Sequence, residues 1–140
     1  MTQQLGGYPG AAVRVAPGAR MPPMERHPNA LQAAESAEVP LQKLSGYALN
    51  AEHPTGGHKA RRVKAALGFV AKDSQMVADM IKSALSAHPA VDGPRNAWGA
   101  TFYVDVPLTG PAGSAIVRTA WIIESGKEVP RMTSFYVKES

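Results

Sequence analysis

The stretch Thr101-Phe102-Tyr103-Val104-Asp105-Val106 decides the fold, together with Ala115-Ile116-Val117-Arg118-Thr119-Ala120-Trp121-Ile122-Ile123 that follows it. In the first run Phe102, Val104 and Val106 alternate with Thr101, Tyr103 and Asp105, the period of a strand with one buried face. The second run is rich in β-branched residues, which favour the same extended conformation. Between them Thr109-Gly110-Pro111-Ala112-Gly113 has the composition of a turn. Another turn, Ser125-Gly126-Lys127-Glu128, leads into a last strand over Arg131–Lys138. Consecutive strands joined by short loops imply an antiparallel meander of three to four strands.

Toward the N-terminus the period changes from two to that of a helix. Val77, Met80, Ile81, Ala84 and Leu85 recur at helical spacing behind an N-cap at Asp73 or Ser74, and His88-Pro89 ends the run. An earlier helix spans His58 to Leu67, with Ala60, Val63 and Leu67 on one face and Gly68 just past its end. Helices first and strands afterwards predict an α+β domain, the helices packed on one face of the sheet. Residues 41–140 are read as that single domain.

Residues 1–40 read differently. They hold six of the twelve prolines (Pro9, Pro17, Pro22, Pro23, Pro28 and Pro40), four glycines and one aromatic residue, Tyr8. Such a segment buries too little apolar surface to offset the entropy of ordering it, and is read as a Pro/Gly-rich arm. Within it, residues 29–37 suggest a short helix capped by Asn29. A linker, a delivery segment or a strap across the domain all fit the composition.

The whole chain has 140 residues, the size of one domain, and no cysteine, which excludes disulfides and Cys-ligated metals. No apolar run reaches membrane-spanning length, and the N-terminus lacks the pattern of a Sec signal peptide. The expected location is cytoplasmic, or reached through a dedicated secretion system, with no membrane partner. The net charge of +4 is permissive of nucleic-acid binding without demanding it. The densest basic stretch is Lys59, Arg61, Arg62 and Lys64, suited to phosphate-rich partners or to a solvated helix face.

No glycine-rich phosphate loop or nucleophile elbow is present, and the four histidines have no zinc-ligand spacing. No metal or cofactor is expected. His58 opens a helix directly after Gly56-Gly57, at the end of the helix dipole that favours a neutral, basic imidazole. Arg118 lies mid-strand on the face of Ile116, Ala120 and Ile122. It must either pair with Asp105 or Glu124 or face a ligand groove. In the last strand, alternation places Arg131, Thr133 and Phe135 on one face and Met132, Ser134 and Tyr136 on the other. Arg131 suits a phosphate, and the hydroxyls of Thr133, Ser134 and Tyr136 suit its orientation. Trp98 and Trp121 are read as core anchors.

Leu49-Asn50-Ala51-Glu52-His53-Pro54-Thr55-Gly56-Gly57-His58-Lys59-Ala60, closed by Gly68-Phe69, resembles the opening signature of a small, uncharacterised bacterial domain family. Val117-Arg118-Thr119-Ala120-Trp121-Ile122-Ile123 and Pro130-Arg131 with its hydroxyl-rich strand resemble that family's second signature. The resemblance spans about residues 45–138. It implies a domain found alone or as the C-terminal module of secreted toxins. The layout is also similar to the barnase, EndoU, colicin D and RelE superfamily of metal-independent ribonucleases. That likeness implies His58 as base, Arg118 and Arg131 on the scissile phosphate, and Thr133, Ser134 or Tyr136 orienting it. Lys59, Arg61 and Arg62 would bind the RNA, a tRNA or rRNA, and a cognate immunity protein would be a partner. The alternative function is a non-catalytic protein-binding module, an immunity, adaptor or phage-associated protein.

Overall fold

The computed structural model describes residues 26–138. A short helix α1 (Leu41–Lys43) runs on into a π-type turn over Leu44–Ala48. Helices α2 (Gly57–Leu67) and α3 (Ser74–Leu85) follow. Four strands then form one antiparallel sheet in sequence order: β1 (Ala90–Asp92), β2 (Gly99–Gly110), β3 (Gly113–Glu124) and β4 (Arg131–Val137). This is the expected α+β meander with its helices N-terminal to the strands. The fourth strand, whose position the sequence reading does not give, is the three-residue β1.

The alternation that predicts the sheet also selects its buried face. Val104, Val106, Leu108, Val117, Thr119 and Trp121 turn toward the helices and are all buried. Val63 and Leu67 of α2 and Val77, Ile81 and Leu85 of α3 close the core from above. Trp121 brings an indole N–H into this apolar layer, where an unpaired donor is costly. Thr119 resolves it: its Oγ1 accepts from Trp121 Nε1 at 2.7 Å and donates to the Val104 carbonyl at 2.7 Å.

The end of α2 is locked to the β2–β3 hairpin. Gly68 ends the helix at φ 86°, a left-handed conformation that glycine adopts without strain. Beside it, Ala112 N–H donates to the Leu67 carbonyl at 3.0 Å. A side chain at Gly110 would collide with that same carbonyl, its Cβ falling 2.1 Å away. The hairpin tip therefore holds one end of α2, and the other end is left to carry His58 and Lys59 along the β4 edge.

Four details depart from the sequence reading. Residues 29–40 belong to the folded layer instead of the arm: Leu31, Ala34 and Ala37 are buried. The segment straps the sheet from edge to edge. Ala90 N–H donates to the Asn29 carbonyl beside β1, and Glu38 bonds Pro130 and Met132 beside β4. Average composition hides this because a few apolar residues do the anchoring: Leu31, Ala34 and Ala37, spaced by three, with Val39 partly buried after them. Helical turn is confined to Ala34–Ser36, with Ala33 at φ 52°, and Asn29 donates its N–H to His27 Nδ1 in place of capping a helix. The reading of residues 1–25 lies outside the described residues.

The second departure is at α3, where Asp73 does not cap the helix with its side chain. Its Oδ2 accepts from Val70 N–H at 2.9 Å, one turn earlier, across a 3-10 turn at Ala71–Asp73. Third, Trp98 is no core anchor: it is 75% exposed. Its backbone is tied down by Asn96 Oδ1 and by Ser125, so the loop is ordered while the indole meets solvent.

The fourth departure matters most for the site. Ala120 pairs with Ser134, but its neighbour Trp121 pairs with Met132, which leaves Thr133 as the extra residue of a bulge. The bulge shifts the alternation by one. Met132 and Phe135 both enter the core, and Arg131, Ser134 and Tyr136 fall together on the opposite face.

Candidate functional site

The face of the sheet away from the core carries half-exposed Tyr103, Asp105, Arg118, Ser134 and Tyr136. At the β4 edge it meets the start of α2 in a cleft of about 360 Å³, lined by His58, Lys59, Arg62, Arg118, Tyr136 and Lys138. Each helix residue advances by about 100°, which brings positions 58, 59 and 62 into one sector and leaves 61 outside it. Arg61 accordingly turns away, its Nη1 donating to the Ala51 carbonyl at 2.8 Å.

Arg118 is the most highly organised of these side chains. Across the β2–β3 hairpin it stands opposite Asp105, and its Nε and Nη2 donate to the two carboxylate oxygens at 2.9 and 3.1 Å. Lys138 Nζ donates to the same carboxylate at 2.8 Å. The Arg118 hydrogen bonds, aided by Lys138, hold the Asp105 carboxyl at a pKa of about 2 against the opposing effect of burial. The Arg118 guanidinium also lies over the Tyr103 ring, 5.4 Å from its centroid, and Tyr136 stands opposite Arg118 on β4. Lys59 Nζ sits over the Tyr136 ring at 4.8 Å. Cations and aromatic rings thus alternate, Lys59, Tyr136, Arg118, Tyr103, with a cation–π contact in the first pair and in the last.

Among the described residues, Lys59, Arg62, Arg118 and Lys138 bring cationic N–H donors to the cleft wall beside the Tyr136 phenol, with the Asp105 carboxylate held by two of them. The cleft suits an oxyanion, and phosphate best matches donors spread over guanidinium and ammonium groups. A larger groove of about 650 Å³ runs between α3 and β2. It is lined mainly by Met76, Met80, Ala84, Pro107 and Leu108, with Asp79 as its one charged group, so it offers shape without chemistry. Among the described residues, no three His, Asp or Glu side chains gather as a metal site would require, and no helix is long and apolar enough to cross a membrane.

Of the nine residues singled out from the sequence, His58, Lys59, Arg62, Arg118 and Tyr136 meet in this cleft. Arg61, Arg131, Thr133 and Ser134 do not line it. Arg131 shares the sheet face with Arg118 but stands farther along, opposite Ile122, where its Nη2 meets Glu124 Oε2 at 3.3 Å. Thr133 is spent in the bulge. Sequence reasoning missed Lys138, which carries no motif, and left Asp105 as one of two possible partners for Arg118. Hairpin register contained the answer: counting five residues out from Gly110 and from Gly113 gives Asp105 and Arg118.

Residues 30–139 match the model of a domain of unknown function (DUF6883), and the chain belongs to that family. The match starts at the strap, before the first signature in the sequence, in keeping with the burial of Leu31, Ala34 and Ala37. No curated protein and no solved structure matches the chain.

Proposed function

We propose that this protein is a metal-independent ribonuclease of the toxin or effector type, with the cleft between α2 and β4 as its active site. The observation that carries the reading is the convergence of His58, Lys59 and Arg62 from the helix with Arg118, Tyr136 and Lys138 from the sheet. In such a reaction the ribose 2′-hydroxyl attacks the adjacent phosphorus as a base removes its proton. The bond to the 5′-oxygen breaks, an acid protonates that oxygen, and a 2′,3′-cyclic phosphate remains. His58 is the base, Arg118 and Lys138 take up the charge growing on the phosphate, and Tyr136 orients it. Lys59 and Arg62 extend the positive surface along the incoming strand. Arg61, Arg131, Thr133 and Ser134, singled out from the sequence, have no part in this version. A cognate inhibitor would be an acidic protein covering the same cleft.

The test is cleavage of total tRNA and rRNA in the presence of EDTA, with end-group analysis. Cleavage leaving 2′,3′-cyclic ends, reduced about 10² to 10⁴-fold in a folded His58→Ala variant, supports the reading. Intact RNA after incubation with folded wild-type protein refutes it and favours the non-catalytic binding module, for which partner capture is the next step.

A further inference from the structure

Asp105 is absent from the wall of the cleft, yet both cations that it holds stand in that wall. Arg118 has five N–H donors and spends two on this carboxylate; Lys138 has three and spends one. Neither group is used up by this carboxylate, and both line the cleft. A negative charge placed behind two cations weakens their pull on an anion, so affinity alone would be better served without it. What the carboxylate supplies is orientation. A bidentate contact fixes the guanidinium plane, and the third bond stops a lysine side chain that would otherwise sample many rotamers.

From this arrangement we infer that Asp105 is a positioning residue, setting Arg118 and Lys138 so that both present donors to one oxyanion. Its kinetic consequence rests on the ribonuclease reading; its consequence for anion binding does not. Two effects can be separated because they have opposite signs. If Asp105 acts only through charge, its neutralisation tightens binding of an anion. If it acts through geometry, neutralisation or displacement loosens it.

The experiment compares wild type, Asp105→Asn and Asp105→Glu in the full chain, with inorganic pyrophosphate as the anion and melting temperature as the check on folding. The glutamate variant keeps the charge and moves it by one methylene, so it isolates geometry. We expect both variants to bind pyrophosphate several-fold more weakly, and the Arg118 Nε–H signal in NMR to lose its protection from exchange. RNA cleavage by both falls at least about tenfold, since small misplacements of a charge-stabilising group are costly. Pyrophosphate binding that is equal or tighter in folded Asp105→Asn, with wild-type binding in Asp105→Glu, overturns the inference. If the asparagine variant fails to fold, the glutamate variant decides alone. Should wild type cleave no RNA, the ribonuclease reading falls, while the pyrophosphate comparison still decides the role of Asp105.

Discussion

Five consecutive residues of β3 divide the labour of this molecule between the two faces of one sheet. Val117, Thr119 and Trp121 face the helices and are buried without exposure to solvent. Arg118 and Ala120, one step along in each case, face the other way and are half-exposed. On the helix side the polar groups of Trp121 and Thr119 are consumed internally, in the chain from Trp121 through Thr119 to Val104. On the open side Arg118 is held firmly from behind and keeps donors to spare. A buried face must satisfy its polar groups within the fold. An open face can hold a polar group in place and still leave it a vacancy, and this distinguishes a site from a core.

The strongest way to test that division is to damage the helix side. Trp121→Ala removes the largest fully buried side chain and is expected to cost about 3–5 kcal/mol of stability in chemical denaturation. Trp98→Ala, which removes an indole already in water, is expected to change stability by no more than about 0.5 kcal/mol. Equal costs for the two tryptophans would break the comparison.

Next in size is the converse, damage to chemistry that spares the fold. On the ribonuclease reading, Arg118→Ala lowers cleavage by about 10² to 10³-fold through loss of a charge-stabilising donor. Its half-exposed ion pair contributes on the order of 1 kcal/mol or less to stability. Arg131→Ala is the control on the same face: its partner Glu124 lies outside the cleft, and cleavage is expected to stay near the wild-type rate. A loss as large as that of Arg118→Ala would place Arg131 back in the site.

The smallest effect is in acid. The folded pKa of Asp105, about 2, lies below its ordinary value of 3.8, so the unfolded chain takes up this proton first as pH falls. The stabilisation from the Arg118 and Lys138 contacts is therefore complete above about pH 4 and lost progressively down to about pH 2. The stability difference between wild type and Asp105→Asn should shrink over that window. A difference that stays constant from pH 4 to 2 would mean that the carboxylate is not coupled to its cations in solution. Glu124 is lowered in the same direction by Arg131 and then by Lys127, but its contacts are longer than those of Asp105 and screened by solvent, so Glu124→Gln should change the acid limb less than Asp105→Asn does.

Much of this was legible in the residues themselves. Alternation from Thr101 to Val106 and from Ala115 to Ile123, with a glycine-bounded turn between, determined the hairpin, because a period of two leaves one face to bury. Spacing at Val77, Met80, Ile81, Ala84 and Leu85 determined α3 by the same logic with a different period. The sequence also marked His58, Lys59, Arg62, Arg118 and Tyr136 as residues out of place in a core. It could not say which of nine candidates would meet. The bulge at Thr133 decided that Tyr136 and Arg131 share a face, and a single extra residue leaves no trace in an alternating pattern. Packing of α2 along the β4 edge decided that Lys59 would cover Tyr136 while Arg61 turned to Ala51. The strap from Asn29 to Glu38 was decided by backbone bonds to both sheet edges, which composition does not encode. Local periodicity is written in the chain because it depends on near neighbours. The partners of Asp105, Lys138 and Glu38 depend on which distant segments the closed sheet brings together, and only the folded molecule settles that.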